Sequence, residues 1–311
     1  MEALWRKQVR LGIIQGMIYP DCGTSAARTI ETAKQVMLDD FFSVLVVGRM
    51  EDTALAAVKL MAADSHVSLG VGAAPVILGG KHNLGNLDEV ARRAGVEALK
   101  KSIDDAYFLG APFIELLDGA KTYPGPRNEQ QAARQLVRSL VELCRYSEEN
   151  ATGEPVWVLL ETFDREIDKK SFVGPSKLAV EIAAQVKAEQ KNFGLTVDMG
   201  HLPLIGEGFK ESLETLKEFL VHAHLGNCIK DQTSPYYGDS HPGFGLPGGV
   251  ADVAELTEFL AALVGIDYFE KKGMPTGVPW LTFEIKPQTD QSPELLMVNA
   301  RRVFEEAWAR L

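Results

Sequence analysis

The sequence predicts an α/β protein, a single (β/α)8 TIM barrel spanning residues 1–311. Three observations predict it. Eight short, β-rich apolar runs alternate with eight stretches of helical length almost to the end of the chain. Most of these runs are apolar at nearly every position, as strands buried on both faces must be, which fits a closed parallel barrel better than an open sheet. No G-x-G-x-x-G joins a strand to a helix and no G-x-x-x-x-G-K-[ST] occurs, so the signatures of nucleotide-binding open sheets are missing.

The first strand is read over 11–18 (LGIIQGMI), followed by a helix over 24–40. The second strand (43–50) precedes a helix at 52–63, for which Asp52 is the start signal. The third strand (67–76) leads through a Gly-rich loop, GGKHNLGN (79–86), to a helix at 88–109. Strand four (112–119) pairs with a helix at 128–150, strand five (156–163) with one at 175–191, and strand six (194–201) with one at 209–219. Strand seven (220–227) is followed by a long Gly-rich and Pro-rich loop, then a helix at 250–264. Strand eight (280–287) leads to a last helix at 292–310, started by Ser292 before Pro293 and Glu294.

Composition narrows the function. The 311 residues carry 32 Lys plus Arg against 43 Asp plus Glu, a net charge of −11, without runs of five or six like charges. An acidic chain with no basic face argues against nucleic acid or an anionic membrane as partner. The opening apolar run is broken by Gln15 and Gly16 and reads as a strand, not a signal peptide. No apolar run approaches membrane-spanning length. Cys22, Cys144 and Cys228 are far apart and lack CxxC spacing, which indicates neither a disulfide framework nor a cysteine zinc site. The expectation is a cytoplasmic protein acting on a small molecule.

The chemistry is expected at the strand C-termini. Glu161 ends strand five, Asp198 and His201 close strand six, His222 and His224 lie in strand seven, and Glu284 and Lys286 end strand eight. A strand period of two puts His222 with His224, and Glu284 with Lys286, on a common side. A lone acid at a strand end commonly caps a helix or forms a salt bridge. Acids converging from successive strands on one barrel mouth instead need a compensating cation. Glu161, Asp198, His224 and Glu284 offer three carboxylates and one imidazole, a set suited to Mn2+ first, with Mg2+ or Co2+ as alternatives. His222 is read either as a substrate contact or as a hydrogen-bonded core residue, and Lys286 either as a substrate contact or as a rim charge. Glu115 and Asp118, ending strand four, are read as structural or supporting residues.

Glu161, D198-M-G-H201, H222-A-H224-L-G-N227 and Glu284 together resemble the xylose-isomerase-like TIM-barrel superfamily, and the resemblance covers the whole barrel. It implies that Glu161, Asp198, His224 and Glu284 hold one divalent metal and that Glu161 and Glu284 double as acid and base. It also implies that His201 contacts substrate oxygens, as does Lys230, which stands where the ketose 3-epimerase branch has arginine. The sequence departs from that branch in the loop 231–249, where D239-S-H241 resembles a metal-binding pair of the endonuclease branch. Histidines after strands two and three are missing, and His82 lies beyond its strand end, so His241 is read as a substrate-contacting or acid/base residue on a covering loop.

These readings converge on a metal-dependent sugar isomerase or epimerase, in which proton abstraction beside a carbonyl gives an enediolate. One alternative is a metal-dependent lyase or dehydratase that expels a leaving group from a keto-sugar, a keto-inositol or a 3-keto C-glycoside. Another is a non-catalytic sugar-binding barrel. A homo-oligomer is expected, with a small second subunit if the chain is a C-glycoside lyase.

Overall fold

The structure, a computed structural model, describes residues 4–311. Its eight strands are β1 (Arg10–Ile14), β2 (Val44–Val47), β3 (Ser68–Gly72), β4 (Phe113–Leu116), β5 (Trp157–Glu161), β6 (Phe193–Asp198), β7 (Leu220–Gly226) and β8 (Trp280–Glu284). They close in chain order into one parallel barrel, β8 returning to β1 with Leu11 opposite Leu281. The fold class is the one the sequence predicts. Strands β2, β4, β6, β7 and β8 are buried at every position, which explains their unbroken apolar reading.

Eight helices cover the barrel where the sequence predicts them: α2 (Ala26–Met37), α3 (Asp52–Ser65), α5 (Glu89–Leu109), α6 (Glu129–Asn150), α7 (Ser176–Glu189), α9 (Phe209–Leu216), α10 (Val253–Gly265) and α11 (Pro293–Trp308). The Ser292 hydroxyl caps α11 by accepting from Leu295 N, with Pro293 in the first turn. Asp52 is not the cap of α3. It is the first helical residue, behind Glu51, so its charge faces the helix dipole instead.

Three short helices were not predicted: α1 (Gln15–Ile18), α4 (Ala74–Gly80) and α8 (His201–Ile205). Each follows a strand with almost no linker, and α1 and α4 take the ends of the runs read as strands at 11–18 and 67–76. Helices of one or two turns show too little periodicity to be separated from a preceding apolar strand.

Inside the barrel, Val44, Val46, Phe113, Leu159, Val221 and Trp280 pack into an apolar floor at the N-terminal end. Above it lies a polar layer of Glu115, Thr196, His222 and Thr282, and above that the ends of β5 to β8. The barrel thus carries its ionisable groups at the C-terminal face, where such folds place chemistry.

Candidate active site

Glu161, Asp198, His224 and Glu284 meet at the top of the barrel. One ligand atom from each lies within 4.8 Å of the other three, and all four residues are buried. Strand register creates the meeting: Asp198 sits opposite His224, and Gly226, two residues on, opposite Glu284. His224 Nδ1 faces the carboxylates, 2.8 Å from Glu284 Oε2, 3.2 Å from Glu161 Oε1 and 4.0 Å from Asp198 Oδ2. Asp198 Oδ1 accepts from the backbone N–H groups of Gly200 and His201, while its Oδ2 is buried with no hydrogen-bond partner.

The motif glycines make room for this carboxylate. A Cβ on Gly226 would stand 2.5 Å from both Asp198 oxygens, and one on Gly200 would stand 2.8 Å from Asn227 N. Three carboxylates around one imidazole nitrogen, with one orphaned oxygen, form a donor set that fits a divalent cation. Burial lifts the Glu161 carboxyl to about 7, the nearby Glu284 charge adding to the rise against the pull of His224. Burial also works on Glu284, but His241 and His224 outweigh it and hold that carboxyl at about 2.

Glu115 supports the group from beneath. Its Oε2 accepts from the Thr196 hydroxyl (3.0 Å) and pairs with His222 Nδ1 (2.7 Å), and its Oε1 lies 2.9 Å from His224 Nε2. With a cation bound, the carboxylate behind Nε2 would keep a proton there while Nδ1 served as the ligand. His222 does not line the cavity. Its Nδ1 meets Glu115 and its Nε2 meets Thr282 Oγ1 (2.7 Å), so both ring nitrogens are engaged inside the barrel. Asp118 accepts from the Thr122 hydroxyl and from Phe172 and Val173 N, anchoring the chain after β5.

A second cluster centres on Asp239, which is buried. Lys169 Nζ stands 2.7 Å from its Oδ2, while His241 Nε2 (2.8 Å) and His201 Nε2 (3.1 Å) approach Oδ1. Each ring has its other nitrogen against a carbonyl, His201 Nδ1 donating to Thr162 O (2.9 Å) and His241 Nδ1 to Glu284 O (3.1 Å). Carbonyls only accept, so a carboxylate at the opposite nitrogen favours both rings as imidazolium. Lys169 is placed by Asp164, whose carboxylate accepts from the N–H groups of Ile167, Asp168 and Lys169.

His241 occupies left-handed backbone (φ 48°) and is pinned to the end of β8, since Lys286 N donates to its carbonyl. Asn227, the last residue of the seventh-strand motif, ties the same loop down by donating to Gly243 O and Ala251 O. Burial lowers the His241 pKa, but Asp239 and then Glu284 raise it to about 9. A ring whose native pKa exceeds its unfolded value of about 6.5 contributes all its stability below that pH and loses it as pH rises through about 9. With chelator present, the urea midpoint is therefore expected to fall between pH 6.5 and 9.5, and to fall less in His241→Asn. Parallel falls in parent and variant would remove His241 from the account.

A cavity of about 610 Å³ opens over both clusters, and Glu161, Lys169, His224, His241, Glu284 and Lys286 reach it. His201 lies just behind, its Nδ1 3.5 Å from Glu161 Oε1, and does not line the cavity. Lys230 is exposed and also outside the lining, whereas Lys169, which the sequence reading passed over, points in. His82 shares a separate depression with Arg49.

A closed eight-stranded barrel with acids and histidines gathered over its C-terminal end defines a class, and the chain belongs to the xylose isomerase-like TIM barrel family, whose model matches residues 35–286. Among solved structures it is similar to L-ribulose 3-epimerase, at 15% identity and a TM-score of 0.72 over 97% of this chain and 96% of that one. The IOLI protein with a bound zinc atom has the same TM-score at 16% identity, covering 97% and 99%. The 3-keto-D-glucoside 4-epimerase YcjR from E. coli follows at 13% identity and 0.66, covering 95% and 98%. At these identities the likeness is one of fold. No curated protein matches the chain in sequence.

Proposed function

We propose that the chain is a divalent-metal-dependent sugar isomerase or epimerase that removes a proton beside a carbonyl and passes through an enediolate. The observation that carries this reading is that Glu161 from β5 and Glu284 from β8 line one cavity and approach the same imidazole nitrogen from different strands. Glu161, Asp198, His224 and Glu284 would hold the metal. When bound, the cation supplies Lewis-acid polarisation of the carbonyl and its neighbouring hydroxyl.

Glu161 takes the carbon-bound proton, and Glu284 or His241 returns one. Return to the opposite face epimerises, and delivery to the neighbouring carbon isomerises. Lys169 and Lys286, which line the cavity, would hold substrate oxygens, and His201 would orient Glu161.

Elimination is the second reading, favoured by His241, an imidazolium beside Glu284 and a ready acid for a leaving group. Incubation with keto-sugars in D2O separates the two by NMR. Solvent deuterium in a retained skeleton is the expected result, release of water or an aglycone would favour elimination, and no exchange with metal-loaded protein would refute both.

A further inference from the structure

The cavity has two unlike walls. Every ionisable side chain reaching it comes from β4 to β8 and the segments after β5, β7 and β8. The wall built by β1 to β3 and their following turns offers Ile14, Met17, Val47, Ala74, Pro75 and Leu78, without one hydrogen-bonding side chain. Most of this wall is not core: Ile14, Met17, Ala74 and Leu78 are only partly buried and Pro75 is exposed. Gln15 is turned away, its amide donating to Thr29 O (2.8 Å) and the Thr32 hydroxyl (2.9 Å).

Glycines widen the same wall. A Cβ on Gly16 would meet nothing within 4 Å, and one on Gly48 would meet only Pro75 Cγ, at 4.0 Å. A hexose leaves much of the space empty. Taking the roughly 30 Å³ share of a water as an upper bound for each heavy atom, it fills no more than about three-fifths of the 610 Å³. A free sugar filling the rest would set hydroxyls against carbon, where they lose water without gaining partners.

We infer that the substrate is a glycoside whose sugar ring carries the reacting carbonyl, that ring against the carboxylate and imidazole wall and an apolar, ring-sized aglycone against the wall of β1 to β3. The inference rests on the reading of this site as one that binds sugars. Pro235, Tyr236 and Tyr237 on the loop after β7 complete the rim and suit a flat apolar group.

Calorimetry with phenyl D-glucosides and D-glucose on the metal-loaded protein tests it without turnover. The better phenyl glucoside anomer is expected to bind at least about tenfold more tightly than glucose, the low end for filling an apolar pocket. A smaller ratio overturns the inference. Gly16→Leu, which fills the wall, and Leu78→Ser, which makes it polar, are each expected to bring the ratio toward one, and an unchanged ratio in both variants also overturns it. Proton exchange is scored separately, with keto-sugars in D2O, because phenyl glucosides carry no carbonyl: preference for the phenyl glucoside without exchange of the keto-sugars keeps the apolar subsite and discards the enolising reading, whereas exchange without preference does the reverse.

Discussion

Glu161→Gln is expected to lower kcat by about 10³-fold, within the range for loss of a positioned acid or base, and to reduce bound metal as well. The amide keeps the shape of the side chain but cannot accept the carbon-bound proton, and it is a weaker ligand than a carboxylate. Glu161 is 3% exposed and lies beside His224 and His201, so no water can easily take over its role. Kinetics and elemental analysis on the same preparation check it. A variant with full metal content and turnover within tenfold of the parent would place the base elsewhere. Chelation of the parent is expected to abolish turnover, with Mn2+, Co2+ or Mg2+ restoring it better than Ca2+.

The second large effect is expected at Glu115. Glu115→Ala strands the Thr196 hydroxyl and leaves the buried His222 and His224 rings without the carboxylate they both meet. Removing one partner of a buried charged network destabilises by about 3–5 kcal/mol. Metal affinity should also drop by about 10- to 100-fold, because His224 loses the group that fixes its orientation. Urea unfolding and a competitive metal titration measure the two effects. Losses below about 1 kcal/mol and threefold would mean that His224 is oriented by its neighbours on β6 and β8 alone.

Much of the barrel is legible because a buried parallel strand must be apolar throughout, and the cores of all eight strands stand out for that reason. What blurs the reading is the passage from strand to short helix: Gln15–Ile18 and Ala74–Gly80 continue the apolar runs before them. The converging quartet is legible because strand ends in a barrel share one rim. His222 shows the limit of parity, which gives the side of a strand but not the depth in the barrel. Asp239 was visible only as half of a D-x-H spacing, with nothing to show that it would gather three cations. Lys169 gave no signal, since its position depends on Asp164 curling the loop through three backbone N–H groups. Lys230 follows a family spacing, yet loop conformation, which spacing does not encode, leaves it at the surface.

The apolar floor made by Phe113, Trp280 and their neighbours has a consequence for isotope traffic. It closes the barrel from below, so on the proposed reading a proton taken up by Glu161 would leave past the substrate and out through the rim. With substrate across the rim, that proton would be confined with the intermediate it came from, and internal return would compete with wash-out to bulk water. A barrel with one opening would then let a label on the substrate carbon be carried over to product within a single turnover.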